Sequence, residues 1–126
     1  MSATFAKLAG RPRVVLGDTH SRFVARAGRQ FRQLGWEVFT ARSAAETKRL
    51  TFMVRPDVVV LGTNLPDESG WLVCDKLTRC EPSPEVILVS NRVTPRRRRL
   101  AAFVGASALA KRDELQAPMA VSCQAC

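Results

Sequence analysis

The Cys123-x-x-Cys126 pair has the spacing of a metal knuckle or a redox couple. A zinc site would need Cys74, Cys80 or His20 to fold toward it, and no helix follows the pair to lower a thiolate pKa. Reduced, buried or frayed thiols are therefore the expectation, with no metal and no cofactor. Thr63 and Ser90 carry hydroxyls, but neither is paired in sequence with a base, and Asp67 stands apart in a loop. The chain is expected not to be an enzyme. The densest chemistry is positive: Arg96, Arg97, Arg98 and Arg99 are consecutive and suited to carboxylates or phosphates. Without interleaved aromatics or a groove-reading helix they would attract nucleic acid only in a salt-sensitive, sequence-blind way. An acidic protein surface is the better match, and a nucleic-acid-associated basic protein is the alternative.

The 126 residues allow one domain with a core of its own, and 20 Lys plus Arg against 11 Asp plus Glu give a net charge of +9. The longest purely apolar run, Val58 to Leu61, is far too short to cross a bilayer, and the first residues lack a charged-then-apolar signal layout. A soluble cytoplasmic chain is expected, with a basic extension over 1–12, a domain over 13–117 and a short tail over 118–126.

Apolar runs alternate with helical patterns throughout, the mark of a parallel sheet covered on both faces. Strands are expected at Arg13–Leu16, Trp36–Thr40, Val58–Leu61, Val86–Val89 and, more weakly, Ser107–Ala110. Phe23, Val24, Ala27, Phe31 and Leu34 recur at helical spacing with Arg22, Arg26, Arg29 and Arg32 opposite, and Gly35 closes that helix. Ser43-Ala44-Ala45-Glu46 is a capping box opening a helix that runs to about Val54, where Arg55-Pro56 ends it. Ser69 caps Gly70–Arg79, and Thr94-Pro95 opens a helix to about Val104. Pro118 leaves the last helix short or irregular. Four cations in the first turn of the Pro95 helix oppose its dipole, so helix stability alone does not account for them.

Val58-Val59-Val60-Leu61-Gly62-Thr63-Asn64-Leu65-Pro66-Asp67-Glu68-Ser69-Gly70 resembles the third strand and following loop of bacterial response-regulator receiver domains, and Leu-Pro-Asp-x-Ser-Gly is its specific part. Asp18 and Ser90, closing the first and fourth strands, also fit, so the resemblance covers about Arg13 to Leu115. It implies a doubly wound α/β fold, a five-stranded parallel sheet of order 2-1-3-4-5 with its site at the carboxyl ends of the strands. It further implies an aspartate that accepts a phosphoryl group beside Mg²⁺ held by an acid pair. Here the phosphoacceptor position is Gly62, and the first member of the acid pair is Gly17, leaving Asp18 alone. Ser90 matches the hydroxyl that senses the phosphoryl group, and Asn91 replaces a small residue. Asn64 joins the pocket, and Lys111 or Arg112 supplies its cation. The aromatic of the fifth strand is replaced by Ala108 or Leu109. The expectation is a pseudo-receiver acting through protein partners without aspartyl phosphorylation. The fourth-helix face is its candidate surface for a partner or a homodimer, and phosphorylation at an unexpected residue is a further alternative.

Overall fold

Strands and helices alternate strictly in a computed structural model that describes residues 10–115. Most of the basic extension and all of the tail, with Pro118, Cys123 and Cys126, lie outside the described residues. The strands are β1 (Arg13–Gly17), β2 (Glu37–Ala41), β3 (Val58–Gly62), β4 (Glu85–Ser90) and β5 (Ala108–Lys111). Between them run α1 (Ser21–Gln33), α2 (Ala44–Val54), α3 (Gly70–Thr78) and α4 (Pro95–Phe103). The sheet is parallel throughout, in the order β2-β1-β3-β4-β5.

The period of two along each strand divides the core. Val14, Leu16, Val58, Val60, Ile87 and Val89 meet Phe23, Ala27 and Phe31 of α1 on one face. Val15, Val59, Leu61, Val86, Leu88 and Leu109 meet α2, α3 and α4 on the other, through Ala44, Val73, Leu77, Ala101 and Val104. Both faces are covered, so β3 is buried along its whole length.

Local boundaries differ from the sequence reading for identifiable reasons. Trp36 is not in β2: its N–H donates to Phe31 O at 3.0 Å while Gly35, at φ +90°, donates to Arg32 O, a Schellman closure of α1. The Trp36 ring packs edge-on against Phe31, centroids 5.2 Å apart. β5 starts and ends one residue later than expected, because its register pairs Ser90 with Lys111 and the ladder runs as far as β4 does. At α2, Ser43 Oγ accepts from the Glu46 N–H at 3.1 Å, but Glu46 returns to the Arg42 N–H instead of the cap's own. Arg26 leaves the solvated face of α1, lying over the Phe23 ring at 5.6 Å and donating to the Arg112 carbonyl. Among the described residues no helix is long and apolar enough to cross a membrane.

The two described thiols sit in opposite environments, Cys74 buried under α4 and Cys80 exposed. Burial pushes the Cys74 thiol up to about 12, with Asp75 adding to the effect. Iodoacetamide at neutral pH should therefore label Cys80 and spare Cys74 until the fold is denatured, as read by peptide mass. Equal labelling of both in the native protein would contradict the packing of α4 on α3.

Candidate functional site

The carboxyl ends of β1, β3 and β4 converge on Asp18, which is 1% exposed. It follows β1 directly, its N–H donating to Ala41 O at 3.0 Å. Its partner is Arg112, one residue past β5, whose own N–H donates to Ser90 O at 3.3 Å and so turns the side chain inward. Of the two cations left open by the sequence, Arg112 makes the contact. Nε donates to Asp18 Oδ2 at 2.6 Å and Nη2 to Oδ1 at 3.0 Å, a side-on fork; Nη1 donates to Asn91 Oδ1 at 2.9 Å. The Thr19 N–H donates to Asp18 Oδ1 at 2.9 Å, so both carboxylate oxygens are engaged. Lys111 remains in the ladder opposite Ser90.

The two glycines take on meaning against this pair. A Cβ on Gly62 would collide with the Asp18 carboxylate, its Cγ only 2.9 Å away, and stand 3.3 Å from Arg112 Nη2. The ion pair thus occupies the room a side chain at position 62 would need. A Cβ on Gly17 would collide with Thr47 Oγ1 and lie 3.0 Å from its Cγ2. Thr47 is fully buried in α2, its hydroxyl donating to Ser43 O at 2.7 Å. Neither vacated position is hollow. Thr47 was not singled out in the sequence, where a threonine four residues after an N-cap looks like an ordinary helix residue.

Around this floor, the β3–α3 loop is tied down by its own acids. Asp67 accepts from the Ala44 and Ala45 N–H groups at 2.7 and 3.0 Å, and chiefly the Ala44 bond holds its carboxyl below the usual range. Glu68 bridges Lys48 of α2, at 2.7 Å, and Lys76 of α3, and these bonds likewise lower its pKa. Both carboxyls have depressed folded-state values, so what they contribute is present above the ordinary carboxylate range and fades as the pH falls through the lowered value. Asn64 pairs with Ser69 in an isolated bridge, and the Gly70 N–H donates to Thr63 O at 3.0 Å. A Cβ on Gly70 would collide with the Gly62 carbonyl, so only glycine lets α3 begin this close to β3.

Ser90, 6% exposed, is already engaged: its Oγ accepts from the Arg92 N–H at 3.1 Å and from Arg97 Nη1 at 3.3 Å. The four consecutive arginines are therefore not equivalent. Arg97 reaches the site, and Arg98 Nη1 donates to Leu109 O at 3.2 Å, whereas Arg96 and Arg99 are exposed and make no such contact. Arg97, half-buried, and Arg98, exposed, each bond to a neighbouring element, while Arg96 and Arg99 make no such bond among the described residues.

A Mg²⁺ ion does not fit these donors. Asp18 is the one carboxylate at the site and is held by the guanidinium, and no group of three His, Cys, Asp or Glu side chains among the described residues could hold a metal.

Residues 14–116 match the response regulator receiver domain family. A curated relative, the transcriptional regulatory protein PrrA of Mycobacterium leprae, is 36% identical over 81 residues, covering 64% of this chain and 35% of that protein. The same protein of Mycobacterium tuberculosis matches to the same extent. The chain thus spans about a third of the length of these relatives. Among solved structures, a CheY-like response regulator receiver domain protein of Methanospirillum hungatei superposes with TM-score 0.79 at 17% identity, over 90% of this chain and 91% of that one. The chemotaxis response regulator CheY4 of Vibrio cholerae does so with TM-score 0.79 at 16% identity, over 90% and 97%.

Because the Asp18–Arg112 fork fills the space beside Gly62, Gly62→Ala should lower stability by about 2 kcal/mol in urea unfolding. In an Asp18→Gly background the same change should cost at least about 1 kcal/mol less. Additive effects of the two substitutions would show that the pair does not hold that space. Gly62→Asp should likewise give no Mg²⁺-dependent heat in calorimetry.

Proposed function

The chain belongs to the response-regulator receiver domain family of two-component signalling, and from that premise we propose that it acts by binding protein partners without aspartyl phosphorylation. The observation that carries this reading is the occupied floor of the site. Phosphoryl transfer to a receiver needs a carboxylate nucleophile and enough negative charge to hold a cation beside it. Here the nucleophile position is Gly62, the acid pair is reduced to Asp18, and an arginine neutralises that acid.

The partner surface is the outward stripe of α4. Arg96, Arg99, Leu100 and Phe103 recur at helical spacing and are exposed, while Ala101 and Val104 face the core. Phe103 is 86% exposed and Leu100 41% exposed, so two apolar anchors adjoin two cations that make no ion pair among the described residues. The described residues of α4 include no acid, so a second copy docked face to face would set arginine against arginine. An acidic protein surface with an apolar centre is the complementary partner, in preference to a homodimer.

Incubation with acetyl phosphate and Mg²⁺ should leave the intact mass unchanged, while an ordinary receiver in the same tube gains one phosphoryl group. A stoichiometric adduct would overturn the reading and identify its site by peptide mass. Partners captured from the native lysate by the wild-type chain should be lost with Arg96→Gln/Phe103→Ala, whose stability in urea stays within about 1 kcal/mol of wild type because both side chains are solvent-exposed. Undiminished capture by that variant would move the interface elsewhere.

A further inference from the structure

Two cavities open on either side of Arg112, one of about 660 Å³ toward β4 and α4 and one of about 420 Å³ toward α1, sharing His20, Asn91 and Arg112. Their charges are lopsided. Arg92, Arg97 and Arg112 line the larger lobe with no carboxylate, and Arg22, Arg26 and Lys111 join Arg112 around the smaller against Asp113 alone. Counting Asp18 beneath, six cations face two acids across two lobes that adjoin at His20, Asn91 and Arg112. Such a surplus in a concave, partly desolvated place raises the local concentration of anions.

Unspent donors point the same way. Arg112 uses three of its five N–H groups on Asp18 and Asn91, leaving two. The Arg26 Nε–H is buried with no acceptor among the described residues, an unusual state for a guanidinium. Asn64 and Thr63 line the larger lobe, and neither side chain makes a hydrogen bond within the described chain. His20 spends Nδ1 on the Phe23 N–H, at 3.3 Å, which leaves Nε2 for the cleft. At the far wall of the larger lobe stands Trp71, an aromatic surface at the start of α3.

We propose that this cleft binds a nucleotide without covalent reaction, its phosphates held by Arg112, Arg92 and Lys111 and its base against Trp71. The feature that carries the proposal is the juxtaposition of excess cations, unspent N–H donors and an indole around two lobes that meet at Arg112. It goes beyond the partner-binding role of α4, and the two are separable because Arg96 and Phe103 line neither lobe.

Calorimetry and tryptophan fluorescence on the full chain, at low and at physiological salt, test it with ATP, pyrophosphate and adenosine as probes. ATP should bind with one-to-one stoichiometry and perturb the fluorescence, pyrophosphate should bind more weakly, and adenosine should not register. Arg92→Ala/Lys111→Ala should weaken ATP by about tenfold or more, and Trp71→Leu should remove the advantage of ATP over pyrophosphate. Arg96→Gln/Phe103→Ala should leave ATP binding unchanged. Equal weakening by that outer-stripe variant would reveal diffuse attraction to a basic surface and overturn the proposal. It would equally fall if ATP gave no saturable signal, or bound no better than pyrophosphate.

Discussion

A single buried ion pair organises the carboxyl end of this sheet. Asp18 on its own would be a carboxylate removed from water, and Arg112 on its own a guanidinium nine-tenths covered; each is tolerable only because of the other. The geometry that joins them is set by the backbone. The ladder between β4 and β5 ends at Ser90 and Lys111, and the next residue is free to turn inward. Glycine at position 62 then follows as a packing requirement, since the fork needs the volume a side chain would take. Replacing a cation site by an internal salt link converts a place that would gather positive charge into one that repels it. The surrounding arginines inherit an opening where, besides the spent Asp18, only Asp113 at the smaller lobe answers them.

Much of the fold was legible because its signals are local and repeated. Uninterrupted aliphatic runs such as Val58 to Leu61, glycine after α1, and Ser43, Ser69 and Thr94 at helix starts each announce an element through the physics of burial or capping. The order of the strands was not legible that way and came from the resemblance of the Leu65–Gly70 loop. The site was half legible. Missing acids are visible in a sequence, but the groups that replace their volume are not, because Thr47 is 30 residues from Gly17 and becomes its neighbour only through the sheet. The choice between Lys111 and Arg112 depended on a one-residue register, which period-two reasoning cannot fix where the flanking residues are small. Among Arg96 to Arg99 the same difficulty recurs: identical residues in a row hide that Arg97 alone is partly buried, that Arg98 donates to Leu109 O from an exposed position, and that Arg96 and Arg99 stay outside.

The β3–α3 loop shows a division of labour between acids that composition alone does not reveal. Asp67 and Glu68 sit where a receiver-like loop passes its catalytic end, yet both act on neighbouring helices, one on the free N–H groups of α2 and one on lysines of α2 and α3. With Gly70 pressed on the Gly62 carbonyl, this loop is fastened at both ends and in the middle. Rigidity here favours recognition of a partner or ligand in a fixed shape over a switch that requires the loop to move.

Arg97 belongs at once to α4 and to the hydroxyl of Ser90, so the outer helix and the cleft share one side chain. A side chain shared in this way would link a ligand in the proposed cleft to a partner on the proposed surface. An anion that draws the guanidinium away from Ser90 alters what holds the first turn of α4, and a protein clasping α4 alters how readily Arg97 can be drawn. By reciprocity the two effects are equal in free energy and carry the same sign. Occupancy of the proposed cleft would thereby be read out as the affinity of the proposed surface.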